Sequence, residues 1–408
     1  MKRWKIVTTT VLGLFLVLLY TLRNPTSLTY SKIRLQSHCL YAANISQITI
    51  EEWMMNLQVF YNTDKEECVI IRKVIDQLYE FEVGSRPLNL TSRFREKIKE
   101  WFGTLDRADE FQTQVVTTVY NKWTRISSSR NSFRNRKPRN ENTSSTSTLF
   151  ETIDASARNC DFCQMRVASD FISLSNDYAT VAGNAFKLQD YNALFIFKQH
   201  NPLKLTFQDY DGLFKLANEW FSSVEESSSE GHDHPIIAWD SLPSSGGSQI
   251  HAHMHGFLGR KHKLGRFRAI EDARQLYFLI HPESDLTQDF INVHVALGLA
   301  VRVGQNSIIS PLDAVCNHEL IVVGPQIDQS FVELVYAVHR TMINELKIFS
   351  WSAAITWPND GDLAKFVIGA RSDNYAVTSM ELYLFSSLTS NPYETISAVK
   401  RTLRRMSR

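Results

Sequence analysis

Three histidines alternate with two apolar residues in His251-Ala252-His253-Met254-His255, directly after a turn-forming run, Gly246-Gly247-Ser248-Gln249. On an extended chain the period of two sends His251, His253 and His255 to one face and Ala252 and Met254 to the other. Three readings fit that pattern. One is a wet strand face whose other side is core. Another is a strand of zinc ligands. The third is phosphorus chemistry. Glycine lets backbone approach a phosphate closely, amides of Gly246, Gly247 and Ser248 would line the anion, and an adjacent imidazole would attack it. That attack needs a neutral ring whose other nitrogen is held by a hydrogen bond, because protonation removes the lone pair.

A second cluster is Cys160-Asp161-Phe162-Cys163. Alone, a C-x-x-C admits a buried thiol pair, a redox pair or half of a zinc site. His281, His294, His318 and His339 lie in apolar or helical contexts and read as structural. His232 and His234 read as loop residues, and His262, after Arg260 and Lys261, as part of a basic surface turn. Trp351, Trp357 and Phe349 read as core aromatics.

The run from Gly246 to His255 resembles the H-φ-H-φ-H signature of the histidine triad superfamily, which includes the galactose-1-phosphate uridylyltransferases. The resemblance implies that His253, the middle histidine, attacks the α-phosphate and forms a covalent nucleotidyl-histidine, with Ser248 helping to bind the phosphate. Further segments resemble the uridylyltransferase branch. Trp123-Thr124-Arg125-Ile126-Ser127-Ser128-Ser129-Arg130 is similar to its N-terminal strand and carries a nucleotide-contacting arginine over to Arg130. Asn176-Asp177-Tyr178-Ala179 is similar to its nucleotide-holding segment, and the stretch from Tyr191 to His200 to its central strand. The same resemblance implies a structural zinc held by Cys160, Cys163, His200 and His251, with a disulfide as the rival fate of the two cysteines. Two departures concern the acceptor. His255 stands where uridylyltransferases carry Gln, which is the hydrolase-type choice, and Asp240 replaces an Asn near the phosphate.

These residues need a frame. The expected fold is α+β, with histidine-triad-like antiparallel sheets flanked by helices in two similar halves. Residues 191–256 run strand, helix, strand, strand. Residues 316–370 repeat that order, with a strand at Glu319–Pro325, a helix from Gln329 to Leu346 and two further strands. The second half lacks the histidines and should be catalytically silent. The expected layout is an anchor and stem (1–30), a helical segment (31–119), the catalytic half (120–265) and the triad-lacking half (266–408). The uncharged run Ile6–Leu22, preceded by Lys2, Arg3 and Lys5, reads as an uncleaved single-pass transmembrane signal anchor. It is at the short end of the about 17–25 residues that span a bilayer. Sequons at Asn44, Asn89 and Asn142 agree with a glycosylated body in the ER or Golgi lumen or outside the cell. There Cys39 and Cys68 would pair, leaving Cys316 as the odd thiol.

Composition narrows the functions. In 408 residues, 44 Lys+Arg face 43 Asp+Glu, so no chain-wide charge favours nucleic acid. Five cysteines are too few for a disulfide scaffold, and 24 Phe promise a real core. The expected function is nucleotidyl transfer on nucleotide sugars or sugar phosphates. Hydrolysis of nucleotide conjugates and an inactive membrane-tethered binding module are the alternatives, and a homodimer is allowed.

Overall fold

A computed structural model describes residues 66–85, 87–103, 111–131, 146–170, 172–228, 234–358, 363–370 and 384–408. The segment expected to be helical, 31–119, contains helices α1 (Glu66–Leu78) and α2 (Ser92–Phe102) but also strand β1 (Tyr79–Ser85) and most of strand β2 (Val115–Asn121). Tyr79-Glu80-Phe81-Glu82-Val83 alternates apolar with acidic residues, and β2 opens Val-Val-Thr-Thr-Val. Period-two, β-branched sequence favours a pleated strand once a partner is present, and the two pair antiparallel from Tyr79↔Asn121 to Ser85↔Val115. Strand β3 (Ser127–Arg130) adds to β2, and β13 (Ser386–Leu388) joins β3 in parallel. Asn89 is exposed, and the hydroxyl of its sequon threonine, Thr91, caps α2 by accepting from Phe94 N–H.

The main sheet has nine antiparallel strands in the order β4-β5-β7-β6-β11-β12-β10-β9-β8. Its first part comprises β4 (Ala179–Gly183), β5 (Asn192–Phe197), β6 (His234–Ser241) and β7 (His253–Gly259), with helix α4 (Phe207–Ser227) between β5 and β6. Helix α3 (Thr146–Ser156) precedes it, and α5 (Gly265–Ile280) and α6 (Leu286–Ala296) follow it. The second part comprises β8 (Ala300–Val303), β9 (Asn306–Ile309), β10 (Leu320–Gly324), β11 (Trp351–Thr356) and β12 (Ala364–Ala370). Helix α7 (Gln329–Asn344) lies between β10 and β11, and α8 (Pro392–Met406) ends the chain. The orders β5-β7-β6 and β10-β12-β11 are therefore the same unit used twice. The two meet at the β6–β11 seam, from Trp351↔Ser241 to Thr356↔Ile236.

One side of the sheet forms the main core with α4 and α7. Phe195, Trp220, Trp239, Met254, Phe331 and Trp351 are all buried there. Burial of several aromatic side chains, each worth about 1.5–3 kcal/mol or more, makes this layer the main stabilising element. On the opposite side, Cys160, Phe162, Ala182, Leu194 and Ile196 cover the first half, while Ile291 of α6, Ile309, Ile321 and Val323 cover the second. The small sheet is stitched to the second half. Asp313 accepts from Asn121 Nδ2 at 2.8 Å, and Ser128 Oγ donates to the Ala314 carbonyl at 2.6 Å. Among the described residues no helix is long and apolar enough to cross a membrane. Ile6–Leu22, Asn44 and Asn142 lie outside the described residues.

Candidate active site and metal centre

Strand β7 is formed by the alternation noted above. Ala252 and Met254 are buried in the main core, and the histidines take the opposite face. The ladder begins at His253, opposite Ile196 of β5. Backbone bonds carry the extended path further back, since Ala252 N–H donates to His200 O at 3.0 Å and Phe197 N–H to Ala252 O at 3.1 Å.

His253 is only 5% exposed. Its Nδ1 donates to the His251 carbonyl at 2.8 Å, which fixes the proton on Nδ1 and leaves the lone pair on Nε2. That Nε2 has no partner among the described residues, yet it still reaches solvent. Burial above all, with the neighbouring imidazoles adding to it, pulls His253 down to about 4, so the ring is neutral at physiological pH. Phe162 packs edge-on against it at 4.9 Å between ring centroids. His255, half-buried, lies 5.2 Å from His253 between ring centroids. Burial lowers its pKa, and the charge of Asp240 opposes that shift.

The turn before the trio departs from expectation. Pro243–Ser245 is one turn of 3-10 helix, and closing it uses the two glycine amides. Gly246 N–H donates to Pro243 O at 3.0 Å and Gly247 N–H to Leu242 O at 3.2 Å. Gly246 sits at φ +103°, where a side chain would be strained, and a Cβ on Gly247 would meet Asp240 O at 2.7 Å. Both glycines therefore shape the turn, and neither amide is free to line an anion. The uncommitted amides are those of Ser248, Gln249, Ile250 and His251, which have no hydrogen-bond partner among the described residues. Ser248 itself is exposed.

Cys160, Cys163, His200 and His251 converge, their donor atoms all within 4.8 Å of one another, and form a group able to hold a metal ion. His251 Nδ1 lies 3.4 Å from Cys160 Sγ and 3.3 Å from Cys163 Sγ, and His200 Nδ1 lies 3.3 Å from Cys163 Sγ. Edges of a four-coordinate thiolate–imidazole site are about 3.3–3.8 Å. Each imidazole's other nitrogen is already engaged. His251 Nε2 donates to Phe197 O at 2.7 Å, and His200 Nε2 to Ile153 O of α3 at 3.1 Å. With both protons placed there, two Nδ1 lone pairs face each other at 3.1 Å, an arrangement that a cation between them turns from repulsive to bonding. Burial, followed by the adjacent Cys160, pushes the Cys163 thiol up to about 11, and a bound cation would reverse that shift. Both cysteines are free thiols, so the rival disulfide is not formed. Cys68 is disulfide-bonded, and its expected partner Cys39 lies outside the described residues.

The remaining sequence-predicted residues have structural partners of their own. Arg130, buried on β3, donates from Nη1 to the Leu312 carbonyl at 2.6 Å and helps join the small sheet to the second half. Asn176 accepts from Tyr178 and Ala179 N–H and donates to Gly212 O, which shapes the entry to β4, while Asp177 is exposed. Asp240 accepts from Ser352 Oγ at 2.6 Å. Sequence reasoning missed Phe162 and Ser352. Phe162 was legible only as the apolar residue inside C-x-x-C, and Ser352 had no local signal.

No protein-family profile and no curated protein matches the sequence. Among solved structures, an ADP-glucose phosphorylase from Arabidopsis thaliana with bound ADP-glucose matches at TM-score 0.52 and 9% identity, over 70% of this chain and 98% of that one. A GalT-like protein from Arabidopsis thaliana matches at TM-score 0.47 and 10% identity, covering 59% of this chain and 91% of that one. A uridylyltransferase matches at TM-score 0.46 and 15% identity, covering 57% and 85%. With its doubled strand order and its histidine-bearing strand in place, the chain shares the fold of that ADP-glucose phosphorylase over most of its described length.

Proposed function

We propose that this protein is a nucleotidyltransferase that moves a nucleoside monophosphate group through a covalent nucleotidyl-histidine on His253, acting on nucleotide sugars or sugar phosphates. The observation that carries this is the state of the His253 ring. Its Nδ1 is tied to the His251 carbonyl, its neutral Nε2 has no partner among the described residues, and the amides from Ser248 to His251, just before it in the chain, are uncommitted. An imidazole so held presents a lone pair without first losing a proton. The amides from Ser248 to His251 would take up charge on the α-phosphate as the bond to the leaving group breaks. The bound ADP-glucose in a structure of the same fold supports a nucleotide sugar as substrate class. Arg130, Asn176 and Asp177 remain candidates for holding the nucleotide, through whatever their present partners leave available.

Zinc is the metal we assign to the Cys160, Cys163, His200 and His251 group, because two thiolates and two imidazoles suit it and leave no coordination position open. Bound there, it would serve structure: it would pin the residue two before the nucleophile and the turn that carries Phe162. A second reading, hydrolysis, is favoured by His255 beside Asp240, which offers a proton acceptor for water. We further place the body in an oxidising lumen behind an Ile6–Leu22 anchor. The disulfide at Cys68 and the exposed sequon at Asn89 support that placement.

The test incubates the full-length protein with nucleotide sugars and dinucleoside polyphosphates labelled at the α-phosphate. Acid-labile label on wild type and none on His253→Gly is the expected result. Turnover without retained label would favour a direct hydrolase, and neither label nor turnover would leave a binding module. A mobility shift on deglycosylation checks the lumenal placement.

A further inference from the structure

The triad-lacking half reaches into the site. On β11, Ser352 lies opposite Asp240 of β6 and Ala354 opposite Ala238. Ala238 in turn lies opposite His255 of β7. Residues in register or two apart along a strand share a face, so Ser352, Asp240 and His255 stand on the side of the sheet that carries the histidines. Ser352 Oγ–H donates to Asp240 Oδ1 at 2.6 Å across the seam between the halves. Oδ2 has no partner among the described residues.

The other titratable groups near this face include Cys316, whose Sγ packs at Gly369 in register with Ser352, and behind it Glu319, 3.8 Å from that sulfur and paired with Arg266 at 3.0 Å. On β7 itself there is His253. The register positions flanking His255 are Leu194 on β5 and Ala238 on β6, with Ala354 beyond on β11. Lys365 of β12 is buried, its Nζ near the Leu363 carbonyl. The covering turn adds Asp161, which pairs with Arg166 at 2.6 Å. Among the described residues of β4 to β7, β11 and β12, Asp240 is the one carboxylate.

We propose that His255 and Asp240 form a proton-handling pair, held in register by Ser352 from the second half. This rests on the nucleotidyl-transfer reading and adds a division of labour to it. As the His253 Nε2 lone pair bonds to the α-phosphorus, the bond to the leaving oxygen breaks, and that oxygen keeps the electron pair and takes a proton from His255. In the second step the phosphate of the sugar-phosphate acceptor, as its monoanion, gives its P–OH proton back to His255 as its oxygen bonds to phosphorus and the P–N bond breaks. Asp240 and Ser352 are positioning residues: the carboxylate stabilises the imidazolium, and the serine fixes the carboxylate.

The experiment follows the His255 ring by NMR titration in the full-length, isotope-labelled protein, assigned with His255→Gln. In parallel it records the pH profile of the labelling rate at His253. Asp240→Asn should lower the His255 midpoint by about one pH unit, the scale of one nearby charge at a partly screened site. The alkaline fall in labelling rate should move down with it. Ser352→Ala should act in the same direction but less, and Ser352→Thr should restore the wild-type value. A midpoint and rate profile unchanged in a folded Asp240→Asn protein would overturn the pair while leaving the nucleophile standing. An absent label with a shifted midpoint would overturn the transfer reading and the pair's role with it.

Discussion

In β7 the site-facing positions are His253, His255 and Phe257, whereas in β12, the corresponding strand of the second half, they are Lys365, Val367 and Gly369. The strand order around both is the same, and both halves pack a long helix against the main core. What differs is the cover on the other face. Over β7 it is a turn bearing Cys160, Phe162 and Cys163, and over the second half it is an apolar layer from α6. The frame is therefore general, and the chemistry comes from short local additions. Where the cover over the sheet is a Cys–His cluster and a turn with uncommitted amides in place of a helix, the face gains a candidate site.

That contrast can be broken most forcefully at the thiols. Cys160→Ser should lose one equivalent of zinc by elemental analysis and lower the melting temperature by about 5 °C or more, because metal binding is linked to folding. Cys316→Ser, at a cysteine of the second half outside any disulfide, should shift melting by less than about 2 °C. Equal losses would mean that the first-half cluster is no metal centre.

Two glycines, Gly256 on the core face of β7 and Gly369 on the opposite face of β12, give a smaller effect. A Cβ on Gly256 would lie 2.4 Å from the Phe195 ring, which is fully buried and cannot turn aside. On Gly369 it would meet Cys316 Sγ, one side-chain atom whose weak contact is to Glu319 Oε2 at 3.8 Å. Gly256→Ala should cost about 2–3 kcal/mol in urea unfolding, and Gly369→Ala about 1 kcal/mol. The reverse order would show the Cys316 contact at Gly369 to be the less yielding of the two.

A pH effect is the finest test. His339 of α7 is held down to about 3, chiefly by burial and then by the charge of Arg340. The Pro202 carbonyl counters this slightly, yet neither ring nitrogen makes a hydrogen bond. The unfolded chain binds a proton here below about pH 6.5 that the folded chain refuses. Stability from this group is therefore full above pH 6.5 and is lost as pH falls from there toward 3. His339→Leu, near neutral in cost at pH 7, should flatten the acid slope by about 1 kcal/mol per pH unit in unfolding titrations. An unchanged slope would assign the acid sensitivity to the other buried histidines, His251 and His253 in the first half and His294 and His318 in the second.

Much of the site was legible because its signals are short. The period of two placed three imidazoles on one face, and the resemblance named a Cys–Cys–His–His quartet whose donor atoms do converge. The strand, helix, strand, strand echo correctly anticipated the doubled half. Strands β1 and β2 were missed because interspersed charges in a short alternating run read equally well as an amphipathic helix. Only pairing across the intervening residues decides the matter. The glycine amides were misassigned for a related reason. Whether an N–H is free depends on the turn it closes, and Pro243–Ser245 claims both.

By itself the sequence determined the shared face of the three histidines, which depends on side-chain direction over a few consecutive residues, while the nucleophile candidate and the donor set came from the resemblance carried by short motifs. Tertiary structure alone decided the rest. It chose which amides stay unpaired, brought Phe162 against His253, gave Arg130 to the join with the second half, and set Ser352 on Asp240. Those outcomes rest on contacts between residues far apart in the chain. Their energies exist only once the sheet has closed across its seam.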